Sequence, residues 1–245
     1  MSDLHYNLKT KKSKKIYRAA QIFAVIFTLT LCIMFISAMC ASPPKSGELV
    51  WEKREYYAVS MGTFESHEPA ITFAAGVKNR NGAGFVANDR GFRVLAAAYP
   101  TKRECESVLK KLSAAGQQCS LYKIEIPRTY ISAGSLSQKE LTRALESLLS
   151  ASEKLYSLSL SLDTLKVMPE AARIKIKEIS DGISPNLSCG GIVCIRLRAE
   201  LTAQKSALAE LAESGFEGIL LSAGVKHAQI RLLFDIKALL GELKD

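Results

Sequence analysis

The sequence predicts an α+β fold, with one membrane-spanning helix before the folded part and an all-α helical bundle at its end. Three observations support this prediction. Residues 19–41 contain no charged side chain. Residues 56–126 alternate between strand and helix patterns, and residues 137–245 carry apolar stripes at helical spacing.

The net charge of +9 at pH 7 comes mainly from the N-terminal tail. Residues 1–18 contain six Lys and Arg against Asp3, which gives this tail a net charge of +5. Residues 129–245 contain 14 basic and 14 acidic side chains and contribute nothing. A basic tail beside an apolar segment sets membrane orientation. We therefore interpret the charge as a topology signal and expect no nucleic-acid partner.

Residues 19–41 are long enough to cross a membrane as a single helix. These 23 residues span about 34 Å at helical rise, against about 30 Å of hydrocarbon. The positive-inside rule then predicts a cytoplasmic N-terminus, with residues 42–245 outside the cytoplasm. A cleaved signal peptide is the alternative, but its apolar run is shorter, about 7 to 15 residues.

Two linkers divide the extracytoplasmic part. Residues 42–55 include Pro43-Pro44 and Gly47 and are predicted to be a linker. An α/β domain follows at residues 56–127, then a second linker at 128–136, then the helical bundle at 137–245.

The α/β domain is predicted to have the element order βαββαβ. Residue 101 is Thr and residue 104 is Glu, which is the spacing of a helix-capping box. The predicted elements are a strand at 56–64, a helix at 69–81, strands at 85–87 and 92–99, a helix at 101–116 and a strand at 118–126.

Two half-repeats in this domain resemble the SPOR domain, a bacterial module named for sporulation-related repeats. Tyr57-Ala58-Val59-Ser60-Met61-Gly62-Thr63-Phe64 resembles the family's aromatic-Val-x-Gln-x-Gly-small-Phe strand. Arg93-Val94-Leu95-Ala96-Ala97-Ala98-Tyr99 resembles its Arg-Val-x-x-Gly-Pro-Phe strand. The resemblance covers residues 56–126. It departs from the pattern at Ser60, where the family often has Gln, and at Ala97-Ala98, where it has Gly-Pro.

The resemblance implies an RNP-like sheet with two helices on one face and an open second face that receives the ligand. The family binds glycan strands of peptidoglycan, preferentially strands stripped of stem peptides, and so recruits proteins to division septa or other remodelled wall. It implies a role in cell division or sporulation for this chain. The alternative is a protein scaffold that works through its helical bundle, with a SPOR-like fold that has lost glycan binding.

Alternation along the strands predicts which side chains lie on the open face. Tyr57, Val59 and Met61 suit the helix-covered face, so Tyr56 and Ser60 lie opposite. The same argument places Arg93 and Leu95 on the open face. We therefore predict glycan contacts at Tyr56, Ser60, Arg93 and Leu95, with an ordinary solvated sheet face as the alternative.

Four apolar stripes predict the helices of the bundle. The first begins near residue 137 and the second at Pro169, and the third and fourth cover about 192–214 and 218–243. Four amphipathic segments favour an antiparallel bundle. Its core is either self-contained or shared with a protein partner.

Four cysteines lie outside the predicted membrane segment. Cys189 and Cys194 flank two glycines, and we predict a disulfide between them because no nearby His completes a zinc site. Cys105 and Cys119 are a second candidate pair, worth about 3 kcal/mol for a loop of about 15 residues. Free buried thiols are the alternative for this pair.

The sequence contains no recognisable catalytic motif. No GxSxG, HExxH or P-loop pattern occurs, and the three histidines are far apart. We therefore expect no enzymatic activity, no metal and no cofactor. A wall hydrolase with two carboxylates distant in sequence is a third hypothesis.

Overall fold

The computed structural model describes residues 48–132, 138–188 and 191–243. Its strands are β1 Glu48–Trp51, β2 Arg54–Phe64, β3 Phe85–Asn88, β4 Phe92–Tyr99, β5 Ser120–Ile126 and β6 Thr129–Ser132. Its helices are α1 His67–Lys78, α2 Lys102–Ala114, α3 Gln138–Asp163, α4 Pro169–Asp181, α5 Ile192–Glu213 and α6 Gly218–Glu242. We call the unit from β2 to β5 the sheet domain and the unit from α3 to α6 the helical domain.

The sheet domain is a four-stranded antiparallel sheet with the strand order β3-β4-β2-β5. With α1 after β2 and α2 after β4, its element order is βαββαβ. The α+β fold class predicted for these residues, with helices after the sheet, is therefore confirmed.

Helix α1 covers one face of the sheet because small apolar residues recur along one side of it. Ala70, Ala74 and Val77 are buried against Val94 of β4. Residues three and four apart share a helix face, so these three side chains meet the sheet together. Helix α2 lies on the same sheet face and begins with the predicted capping box, in which Thr101 and Glu104 bond reciprocally.

The turn after α1 depends on a glycine. Gly84 has a φ of +54°, and a Cβ at this position would clash with the carbonyl oxygen of Ala74. Glycine adopts this backbone conformation without steric cost. The turn at residues 81–84 thus brings the start of β3 close to α1.

Both segments predicted as linkers contain a strand. β1 lies within residues 42–55 and β6 within 128–136, and the two pair with each other in antiparallel fashion. Apolar residues in both segments account for these strands. Trp51 of β1 and Ile131 of β6 are both buried in the main core.

The four helices of the helical domain agree closely with the predicted stripes. Helix α3 buries Leu141, Leu145, Leu148, Leu155 and Leu162 along one side. Pro169 is the first residue of α4, where its missing N–H costs nothing. Helix α3 packs along α6, and α4 packs along α5.

The helical domain shares its core with the sheet domain. One continuous cluster of buried side chains contains Leu95, Ala98 and Ile124 of the sheet together with leucines of all the long helices. Residues 46–245 accordingly form one compact unit. The interpretation of the bundle as self-contained is therefore wrong.

The basic tail at 1–18 and the membrane helix at 19–41 lie outside the described residues, so both stay predictions. Across the ranges that are described, no helix combines the length and the apolar character that crossing a membrane requires.

Candidate functional site

The four predicted contact residues lie on one face of the sheet, as strand alternation predicts. Ser60 on β2 pairs with Leu95 on β4. Arg93 lies on the same strand as Leu95, two residues before it. Tyr56 lies further along β2 on the same side. We call this the candidate face, and α1 and α2 cover the opposite face of the sheet.

The candidate face is covered, which corrects the prediction of an open face. Leu95 is fully buried, and Ser60 and Tyr56 are only 2% and 7% exposed. Apolar residues of β4 and β5 on this face pack against the helical domain, so the sheet is buried on both sides. Tyr56, Ser60 and Leu95 therefore meet protein rather than solvent, and the solvated sheet face is equally excluded for them.

Arg93 lies half-buried at the rim of the covered face. Its Nη1 donates a hydrogen bond to the Ser60 hydroxyl at 3.2 Å. Its guanidinium lies 5.0 Å from the centroid of the Tyr122 ring, in a cation–π contact. Its Nε is buried without a hydrogen-bond partner within the described part of the chain. The structure thus brings two of the predicted residues into direct contact and adds Tyr122 to them.

Tyr122 is a site residue that the sequence reasoning missed. Its hydroxyl donates a hydrogen bond to Asp89 Oδ2 at 2.7 Å. Burial, reinforced by this bond to the carboxylate, raises the pKa of Tyr122 to about 12. Its ring stacks on Phe234 of α6, with centroids 6.5 Å apart. Tyr122 pairs with Ala58 across β5 and β2, so the alternation rule applied to β5 could have assigned it to this face.

Helix α6 is attached to the sheet domain by donors that bind backbone carbonyls. Gln229 Nε2 donates to the carbonyl of Ala98 at 3.2 Å. His227 Nδ1 lies 3.1 Å from the carbonyl of Ala83, and because a carbonyl only accepts, Nδ1 carries the proton of this bond. Burial and the nearby positive charge of Lys78 lower the pKa of His227, although the carbonyl opposes this.

A polar cluster joins the sheet domain, α3 and α6. Asp163 Oδ1 at the end of α3 accepts hydrogen bonds from Asn81, Ser222 and Lys226 at 2.7 to 2.9 Å. Lys226 also donates to the carbonyl of Asn81. We call these four residues the clasp. The three donors supply hydrogen bonds to the Asp163 carboxylate, and these bonds allow it to lie beside the apolar core.

The two charged members of the clasp respond differently to burial. Burial raises the pKa of Asp163, but the three hydrogen bonds and the charge of Lys226 outweigh it, so the pKa is lowered. The Lys226 amine is more deeply buried, and desolvation lowers its pKa despite the bond to Asp163. The clasp therefore holds a carboxylate that stays ionised in the folded state.

Cys105 and Cys119 are free thiols, which contradicts the predicted bridge between them. Cys105 is buried on α2, whereas Cys119 Sγ lies near the carbonyl of Leu109 and the hydroxyl of Ser113, further along the same helix. Burial raises the pKa of Cys105 to about 11. Cys189 lies outside the described residues, so its pairing with Cys194 stays a prediction.

Within the described residues, no group of three His, Cys, Asp or Glu side chains is arranged to hold a metal ion. The arrangement on and around the candidate face offers hydrogen-bond donors and aromatic rings rather than paired acid and base groups.

The comparison with protein-family models matches residues 53–123 to the SPOR domain. No curated protein and no solved structure matches the chain. The matched range begins just before β2 and ends within β5, and thus includes the first five elements of the βαββαβ unit and part of the sixth. Residues 53–123 are therefore similar to the SPOR domain, and this similarity lies in the sheet domain.

Proposed function

We propose that this protein binds peptidoglycan glycan strands through its SPOR domain and so localises to remodelled cell wall. The observation that carries the proposal is the family match, because it covers residues 53–123 and so nearly all of the sheet domain. The family is known for this ligand, and the guanidinium of Arg93 at the rim suits sugar hydroxyls. The proposal is for a binding role, without catalysis.

The proposal includes an anchor in the membrane by residues 19–41, with the SPOR and helical domains outside the cytoplasm. The uncharged segment and the basic tail before it support this arrangement. Labelling the full chain in intact cells with a membrane-impermeant thiol reagent or protease tests it. Cleavage of the domains only after the membrane is opened would contradict it.

The central experiment measures binding of the full chain to sacculi stripped of stem peptides by amidase, against untreated sacculi. Arg93→Ala removes the accessible donor of the candidate face and is expected to weaken binding several-fold. Arg103→Ala is the matched control, because Arg103 is an exposed arginine on α2, the helix on the opposite sheet face. Equal binding to treated sacculi by both variants would reject Arg93 as a contact, and absence of binding would reject the function.

Tyr56→Ala is not a clean test of the site. Tyr56 is a member of the main core, and truncation of a buried aromatic residue costs about 3–5 kcal/mol. A loss of binding in this variant would report unfolding as well as lost contact.

The second candidate function is a protein scaffold that works through the helical domain. A mainly apolar groove of about 490 Å³ lies between α1, α5 and α6. Phe216 and Leu220 line it and are 47% and 40% exposed. If the scaffold function is right, the charge introduced by Phe216→Asp should abolish capture of a protein partner at this groove and leave sacculus binding unchanged. Unchanged capture of a partner together with altered sacculus binding favours the glycan function.

A further inference from the structure

Helix α6 occupies the face of the SPOR domain that a glycan strand needs. Phe234 contacts the rings of both Phe85 on β3 and Tyr122 on β5. Leu95 on β4 and Ile124 on β5 are fully or almost fully buried. No sugar ring can reach these residues while α6 lies across them.

Apolar packing and a small set of hydrogen bonds hold α6 on the sheet. The apolar part of the contact is supplemented at one end by bonds from Lys226, His227 and Gln229 to carbonyls of the sheet domain. Carbonyls exposed by withdrawal of α6 would be satisfied by water or by sugar hydroxyls, so these bonds are exchangeable. The β-ladders of the sheet do not depend on them.

We propose that α6 is a reversible cover, so that the closed arrangement and glycan binding by the candidate face exclude each other. This inference rests on the proposed glycan-binding function and describes its regulation. The described structure is the closed state. Glycan binds the open state, in which α6 and the helices packed on it have moved away from β3, β4 and β5.

The cover determines apparent affinity through the fraction of molecules that is open. A protein that is open about 1% of the time binds about 100-fold more weakly than its open state. Any change that weakens the α6 contact without damaging the sheet therefore tightens glycan binding. This is the opposite of the effect expected if α6 merely stabilised the binding site.

Two substitutions in the full chain open the cover by different means. Phe234→Asp removes two ring contacts and places a carboxylate against Tyr122. Gln229→Glu replaces the amide that donates to the Ala98 carbonyl with a carboxylate. The carboxylate only accepts, so the Ala98 carbonyl oxygen repels it. Ala238→Asp is the matched control, because it adds the same charge to α6 at an exposed position.

Binding is measured on amidase-treated sacculi, and opening is measured by the titration of Tyr122. We expect Phe234→Asp and Gln229→Glu to bind at least about tenfold more tightly than the unaltered chain, and Ala238→Asp to match it. If Tyr122 titrates near its ordinary pKa in the two variants, the cover has opened in them. Equal glycan affinity of all forms would then reject the proposal that α6 is a cover, while glycan binding itself would stand. Absence of binding in every form would instead reject the proposed function.

A measurement on the unaltered chain avoids any effect of substitution on folding. By linkage, a ligand that binds only the open state must favour opening. Soluble denuded glycan strands should therefore accelerate hydrogen exchange of α6 amides. Glycan that binds while α6 keeps its full protection would refute the cover.

Discussion

The Tyr122 ring lies parallel to the Phe234 ring, with 6° between the ring planes and 6.5 Å between the centroids. The first residue belongs to the last strand of the SPOR domain and the second to the last helix of the chain. This pair therefore joins two parts of the chain that the sequence presents as separate domains. The contact also lies on the sheet face that the family resemblance assigns to the ligand.

The shared core predicts that both domains unfold together. Leu95→Ala removes a fully buried side chain that lies in the common cluster, and we expect a loss of about 2–5 kcal/mol in the free energy of unfolding. Urea transitions followed by Trp51 fluorescence and by helical circular dichroism should coincide. Leu165→Ala is the control, because Leu165 is 86% exposed and its loss should cost less than about 0.5 kcal/mol. Two separate transitions would contradict the shared core.

The clasp predicts a specific sensitivity at the end of α3. Asp163→Ala leaves the donors of Asn81, Ser222 and Lys226 without their acceptor, and we expect a loss of about 1–3 kcal/mol. The control is Asp181→Ala, which removes an exposed carboxylate paired with Lys205 at the surface and should change stability by less than about 1 kcal/mol. Denaturant unfolding measures both, and equal effects would argue against the clasp.

Lys226→Met tests which member of the clasp matters most. The methionine keeps the apolar stem and removes an amine whose charge is disfavoured by burial. We therefore expect a smaller loss of stability than in Asp163→Ala, because the carboxylate retains Asn81 and Ser222. A larger loss in unfolding experiments would mean that the bond from Lys226 to the Asn81 carbonyl dominates.

Tyr122 predicts a loss of stability in alkali. Its folded pKa of about 12 lies above the unfolded value of about 10. The stabilisation is therefore complete below pH 10 and is lost as the pH rises from about 10 through 12. Ultraviolet titration of the full chain against Tyr122→Phe isolates the phenol. A difference transition near pH 10 would contradict the buried, hydrogen-bonded position.

The free thiols predict a clear result in peptide mapping. Alkylation of the unfolded, unreduced chain should label both Cys105 and Cys119, and no peptide linked through these two residues should appear. In the folded chain at pH 8 Cys105 should react slowly, because burial keeps its pKa at about 11. A reduced sample provides the control, and a linked peptide that disappears on reduction would restore the predicted bridge.

Local pattern alone predicted the elements of the sheet domain and of the helical domain. The alternation at 56–64 and 92–99, the capping box at Thr101 and the first-turn Pro169 act through contacts a few residues apart, so they can be read from the sequence. The assignment of Tyr56, Ser60, Arg93 and Leu95 to one sheet face followed from the same alternation. The SPOR resemblance rested on these local features, and the family match agrees with it.

Only the tertiary structure decided what covers that face. Apolar stripes on α3 and α6 indicate that each helix must bury one side. Hydrophobic burial is non-directional, so the stripes do not determine which surface each helix packs against. In the structure, the helices pack against Leu95, Ala98 and Ile124 of the sheet face. The strands at β1 and β6 escaped prediction for the same reason, because each is defined by pairing with residues about 80 positions away.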